Sequence, residues 1–288
     1  MQTTLKKAIN SAIIVIKYVI PIYIIADILY FYNTLSYISF VIEPFTAFLG
    51  LPKESALAII SGMFLNLYAA IAFAAPLDLD AQQWTILAIF LGVCHSLVVE
   101  SAIIKKLGIS LAYSYILRFF GGLLIAYSAT FLPKSLYGSS SFGLVDTHKY
   151  SNITELLQSS FYNASILALK IVLLITILIY FMEFIKRLPF LKEDKNISKN
   201  FSLGVGLLLG ITYGAGILIQ EASYINKKDL FFVATFLNIC HAIIEDPLLF
   251  VLFGANIYVI IAVRVIWGIA LAYILTAIYG RIYEKDSV

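Results

Sequence analysis

Residues 90–100 read FLGVCHSLVVE and residues 236–246 read FLNICHAIIED. A shift of 146 lays one on the other, placing Phe90 on Phe236, Leu91 on Leu237, Cys94 on Cys240, His95 on His241 and Glu100 on Asp246. The same shift carries Gly108 onto Gly254, Arg118 onto Arg264, Gly122 onto Gly268 and Tyr127 onto Tyr273. Apolar composition alone gives chance matches of Leu and Ile, but not of Cys, His, acid, Gly and Arg together. The chain has only 2 cysteines and 3 histidines, so the two stretches use both cysteines and every histidine except His148. The sequence reads as a duplication, with a first repeat over 1–135, a polar connection over 136–158 and a second repeat over 159–288.

Of the 288 residues, 61% are hydrophobic and 13% charged, and the mean hydropathy is +0.93. That leaves too little polar surface to cover a water-soluble globule. The expected class is an all-α, polytopic integral membrane protein, multi-pass in the cell (inner) membrane. Its net charge of +3 is spread over short loops, with no basic tract suited to nucleic acid. Two cysteines inside apolar runs make no disulfide framework. Lys6 and Lys7 precede an apolar run to about Phe31, longer than a signal-peptide core, so a retained membrane helix is expected there.

A span needs about 20 apolar residues. Eight such stretches stand at 8–32, 55–76, 84–104, 110–132, 161–185, 202–221, 230–252 and 256–279. A further stretch, 35–51, is interrupted by Glu43-Pro44 and reads as a re-entrant or interfacial segment. If every stretch crosses fully the two halves run parallel; one broken or re-entrant segment would invert them.

Glu100 and Arg118 lie equally far from the turn at Gly108-Ile109, and Asp246 and Arg264 equally far from Gly254-Ala255. Nine helical residues span roughly 13 Å, which puts each acid level with its arginine near the middle of the bilayer. Lone charges there cost several kcal/mol, so two acid–arginine pairs are expected. They serve either to lock each hairpin or to line a cavity where the halves meet. Glu245, beside Asp246 where the first half has Val99, favours the cavity, and His241 and Glu245 are spaced to share one helical face. Asn66, within a run of small residues, is a further cavity candidate. The candidate substrate-binding set is thus Asn66, His95, Glu100, Arg118, His241, Glu245, Asp246 and Arg264.

Thiolate and imidazole are metal ligands, which makes Cys94, His95, Cys240 and His241 the residues that would hold an ion. Adjacent helical residues point about 100° apart, however, and no CxxC or HxxxH spacing is present, so neither a dedicated metal nor a cofactor is expected. Nothing places a nucleophile beside a base, so no catalytic residue is expected either.

The run GLPKESALAIISGMFLNLYAAIA followed by WTILAIFLGVCHSLVVES resembles the Gate, or nucleoside recognition, domain, in its stand-alone form. Gly50, Leu51 and Pro52 match the opening motif of the ferrous-iron transport protein B branch, Gly62 and Asn66 the ends of its second motif, and Cys94 its third. Leu65 replaces that motif's cysteine, and no GTPase is expected ahead of the membrane part. The resemblance extends distantly to spore maturation proteins A and B. It implies a membrane transporter or permease for a small polar solute, nucleoside-like or ionic, seated in the lipid bilayer. A divalent metal permease and a membrane scaffold or assembly partner are the alternatives, and a homo-oligomer fits each of them.

Overall fold

The computed structural model describes residues 2–34, 42–138, 150–185, 204, 206–208, 210 and 226–285, and every regular element among them is helical. The helices are α1 (Gln2–Phe31), α2 (Glu43–Phe48), α3 (Ala56–Phe64), α4 (Leu67–Ala74), α5 (Ala81–Cys94), α6 (Leu97–Lys106), α7 (Leu111–Thr130), α8 (Ile153–Ile185), α9 (Lys227–Ile239), α10 (Glu245–Val251) and α11 (Ile257–Lys285). Five stretches among the described residues are long and apolar enough to cross a membrane: Thr3–Phe31, Ala81–Lys106, Leu111–Thr130, Ile153–Phe184 and Ile257–Arg281. Most of the expected span 202–221 lies outside the described residues, as do 35–41, 139–149 and His148. The rest of the 35–51 stretch supplies α2, which lies along α7 through Phe48 stacked on Tyr127 and Phe45 edge-on to Phe119.

Three expected spans, 55–76, 84–104 and 230–252, contain a helix break: 55–76 and 230–252 are each divided into two short helices, a correction to continuous spans there, while 84–104 stays within one crossing stretch, Ala81–Lys106, interrupted midway. In chain order, the breaks fall as follows. The first breaks after Phe64; Asn66 is extended there, and its Oδ1 accepts from Ala69 N at 3.0 Å to cap α4. The second breaks at extended His95 and left-handed Ser96 (φ 45°), and the third between Cys240 and Ile244, with Ala242 left-handed (φ 46°). Ser96 and Ala242 are related by the shift of 146. A left-handed non-glycine residue costs about 1–2 kcal/mol, so both persist only because their surroundings hold them.

Two pairs of helices that the sequence comparison relates, α1 with α8 and α7 with α11, run in opposite directions. Lys7 on α1 meets Glu183 on α8 at 2.7 Å, and Asp27 further along α1 accepts from Ser160 earlier on α8 at 2.5 Å, so α1 and α8 are antiparallel. On α11 and its N-terminal flank, Trp267 donates to Ser128 of α7 at 2.9 Å and Asn256 to Leu136 O just beyond α7 at 2.8 Å, so these two are antiparallel as well. The outer face of α8 exposes Leu169, Leu173, Ile177, Phe181 and Phe184 at three- and four-residue spacing, a stripe suited to lipid and not to water.

At the centre α5 packs on α7 and α9 on α11, while α5 also meets α11 and α7 meets α9. Ser114 donates to Asn238 Oδ1 at 2.7 Å across the α7–α9 contact, and the Tyr113 and Thr235 hydroxyls lie 2.7 Å apart. The α5–α11 contact depends on Gly92. A Cβ there would stand 2.8 Å from Arg264 Nη1, whereas one on Gly122 would meet the Phe90 ring at an ordinary 3.5 Å. Arg264 is fixed by three carbonyls and cannot step aside without losing them. Gly92→Ala should therefore destabilise the protein by about 1–3 kcal/mol and Gly122→Ala should not, as read by thermal unfolding of the two variants in detergent.

Candidate functional site

A helix broken inside a membrane exposes carbonyls and amides that lipid cannot satisfy, and the side chains that satisfy them build the site. Ser96 N donates to Gly62 O at 2.9 Å and its hydroxyl to Leu65 O at 3.3 Å, tying the α5–α6 break to the α3–α4 break. In the second half Ile243 N donates to Leu207 O at 3.0 Å. The arginines close the helix ends. Arg118, fully buried on α7, donates from Nε to Val93 O and from Nη2 to His95 O, both at 2.7 Å. Arg264, fully buried on α11, donates to the matching carbonyls, Ile239 O at 3.3 Å and His241 O at 2.9 Å. Each cation thus sits on the negative end of a helix dipole.

The two arginines then diverge. Arg118 Nη2 reaches Glu100 Oε2 at 2.5 Å, the pair that equal spacing from the turn requires. Arg264 instead spends its second Nη2 bond on Gly92 O of the other half at 2.6 Å, and no ion pair joins it to Asp246. This corrects the expected Asp246–Arg264 pair. The physical reason is the residue 146 positions apart: Gly92 leaves room for the guanidinium, whereas Asn238 fills the equivalent place, bonded to Ala234 O and Ser114.

Asp246 turns to the histidines. His95 Nδ1 lies 3.9 Å from Asp246 Oδ2, and the His95 and His241 rings approach to 5.4 Å between centroids. Each ring is oriented alike, with Nδ1 bonded to the carbonyl four residues back, Leu91 O at 2.9 Å and Leu237 O at 2.8 Å. A carbonyl only accepts, so both Nδ1 atoms carry protons and both Nε2 atoms face inward. They meet the two oxygens of one carboxylate: His95 Nε2 stands 3.2 Å from Glu100 Oε1 and His241 Nε2 3.1 Å from Glu100 Oε2. His95, Glu100, His241 and Asp246 are all buried.

The remaining expected residues, Asn66 and Glu245, are placed by the helix breaks. Asn66 caps α4, and Glu245 opens α10, half-buried beside Asp246. Because the helix is broken between them, Glu245 and His241 do not share the continuous helical face that their spacing suggested. Pro247 stands in the first turn of α10, where a missing N–H costs nothing. Cys94 and Cys240 are fully buried free thiols, and Cys240 packs where a Cβ on Gly268 would meet it at 3.2 Å. Among the described residues the group able to converge on one ion is His95, His241 and Asp246, whose ligand atoms all lie within 4.8 Å of one another.

Two features escaped the sequence reading. The arginines act first as carbonyl caps, for which the only signal was their match across the shift. A second polar cluster joins α1 and α8, where Asp27 accepts from Ser160 and, at 3.1 Å, from Tyr150. Burial, and then the charge of Asp27, push the Tyr150 phenol up to about 12, which keeps it a donor.

With this geometry in view, the chain can be set beside known proteins. It is similar to the uncharacterized membrane protein YvoD of Bacillus subtilis (strain 168). The two are 27% identical over 274 residues, covering 88% of this chain and 87% of the relative. No family model and no solved structure matches. The likeness and the apolar helices together make this a multi-pass membrane protein of the bilayer.

Removing one member of a buried pair costs about 3–5 kcal/mol. Arg118→Met strips two helix-end carbonyls and also breaks the ion pair to Glu100, so it should lower the melting temperature more than Arg264→Met, which frees three carbonyls but breaks no ion pair. Adding Glu100→Gln to Arg118→Met should recover part of the loss. Melting curves of the four proteins in one detergent check the order.

Proposed function

We propose that this chain is a transporter or permease for a small polar solute, with its site where two repeats meet. The observation that carries the reading is that His95 and His241, equivalent under the shift of 146, lie 5.4 Å apart at the breaks of their helices, around a single glutamate. Equivalent residues come that close only near a symmetry axis. The antiparallel pairing of α1 with α8 and of α7 with α11 argues that the axis lies in the membrane plane, which makes the repeats inverted. Inverted repeats with discontinuous helices and a polar site at their interface are the architecture of many secondary transporters. The depth estimate for Glu100 and Arg118 supports a site near the midplane, and the count of about eight spans belongs to this reading.

The resemblance to Gate domains supports the same assignment, through Gly50, Leu51, Pro52, Gly62, Asn66 and Cys94 for the ferrous-iron transport protein B branch and through the Cys94-His95…Glu100 arrangement for the stand-alone form. Gly50 has the positive φ of 68° that favours glycine. A packing role alone gives no account of carboxylates and imidazoles placed together at the one depth where burial costs most. The reading assigns no catalytic residue and places the protein in the cell membrane.

The test is uptake into liposomes holding the purified protein, with nucleosides, small anions and divalent cations offered separately, alongside thermal shift in detergent. One class should enter the vesicles and raise the melting temperature; a solute at 100 times its Kd stabilises by about 2.7 kcal/mol. His241→Leu and Asp246→Asn should abolish both the uptake and the shift while leaving the folded transition in place. Failure of every class to bind or enter would exclude the transporter.

A further inference from the structure

We propose that His95, His241 and Asp246 bind a divalent first-row transition-metal ion, with Glu100 as a neighbouring carboxylate that stays on Arg118 or joins the ion. The proposal deepens the transport reading by naming the class of cargo, and only the word cargo rests on that reading. The site itself rests on the coordination chemistry.

The first argument is the facing of like groups. Both Nδ1 atoms carry their protons toward Leu91 O and Leu237 O, so in the neutral rings both Nε2 atoms present lone pairs. Those lone pairs look across 3.2 and 3.1 Å at the oxygens of Glu100, which in the ionised form are also acceptors only. Two acceptors at that distance repel unless a positive particle lies between or beside them. Arg118 fills that role only in part: it stands beside Oε2, while its other bonds go to Val93 O and His95 O, and it does not bond Oε1, which faces His95 Nε2.

The second argument is unused capacity. In the neutral tautomer fixed by Leu237 O, His241 Nε2 has no hydrogen-bond donor opposite it, and Asp246 Oδ2 has no hydrogen-bond partner, in residues only 1% and 7% exposed. Leaving such groups unsatisfied costs roughly 1–3 kcal/mol each, and both belong to the group of three whose ligand atoms lie within 4.8 Å. Metal–nitrogen and metal–oxygen bonds of about 2.0–2.2 Å need the ligand atoms drawn together by about an ångström, and Asp246, whose Oδ2 stands 3.9 Å from the protonated Nδ1 of His95, has to turn its carboxylate toward the two Nε2 atoms.

The third argument is orientation. Metal-bound histidines characteristically donate their other ring N–H to a backbone carbonyl or carboxylate, which fixes tautomer and direction. Both histidines do so here, each to the carbonyl four residues back. Two imidazoles with one or two carboxylates suit divalent manganese, iron, cobalt or zinc rather than calcium or magnesium, which take oxygen ligands. The expectation of no dedicated metal considered only ligands adjacent in sequence; the third ligand comes from the opposite repeat.

The test is titration of Co²⁺ into the full-length protein in detergent after chelator treatment, followed by visible absorption and equilibrium dialysis. One Co²⁺ per chain should bind, with ligand-field bands but no thiolate charge-transfer band, and Zn²⁺ should displace it. His241→Ala and the isosteric Asp246→Asn should each weaken binding about a hundredfold or more, since outer partners alone are worth 10–100-fold. Cys94→Ser and Cys240→Ser should leave it unchanged. Absence of stoichiometric Co²⁺ binding by protein that still melts cooperatively, or binding indifferent to Asp246→Asn, would overturn the site and show that protons alone occupy it. Co²⁺ bound normally but never carried into liposomes would keep the site and overturn the transport reading; uptake of another solute without Co²⁺ binding would do the reverse.

Discussion

The carbonyl groups at the C-terminal ends of α5 and α9 are the constraint on which the rest of this protein depends. Neither helix continues unbroken, and in lipid no water reaches the freed carbonyls. Arg118 and Arg264 supply the missing donors from the neighbouring helices, at Val93 O and His95 O in one case and at Ile239 O and His241 O in the other. An arginine so deep would ordinarily be prohibitive; here its five donors are what the broken backbone requires. With the ends fixed, Ser96 and Ala242 are held in the left-handed region and the two histidines are aimed inward.

The match across the shift of 146 holds for both arginines and fails at one neighbouring position. Gly92 and Asn238 hold equivalent positions, and the difference of one side chain sends Arg264 across to the other half while Arg118 stays with its own acid. Glu100 is therefore neutralised by an arginine and shared by two histidines, whereas Asp246 makes no ion pair with Arg264 and stands next to Glu245.

The outer pair α1 and α8 braces this centre. Their antiparallel contact is tied at one end by Lys7 and Glu183 and at the other by Asp27, Ser160 and Tyr150. The outward stripe of leucine, isoleucine and phenylalanine on α8 meets lipid, so the brace is stabilised by packing on its inner side and by the few polar ties that the bilayer makes worth having.

The membrane class, the helical content and the matched stretches at 90–100 and 236–246 were legible in the sequence, because hydropathy and repetition are properties of order along the chain. The level meeting of Glu100 and Arg118 was legible too, since two helices leaving one turn reach equal depth after equal numbers of residues. The breaks were not, because apolar runs such as 84–104 satisfy every length and hydropathy rule for a continuous helix, and their interruption is stabilised by arginines 23 residues further on. The fate of Arg264 was decided by Gly92, a residue of the other half. The convergence of His95, His241, Glu100 and Asp246 likewise came from antiparallel packing of matched helices. Periodicity tells which residues are buried, but only the packing of separate segments tells which of them meet.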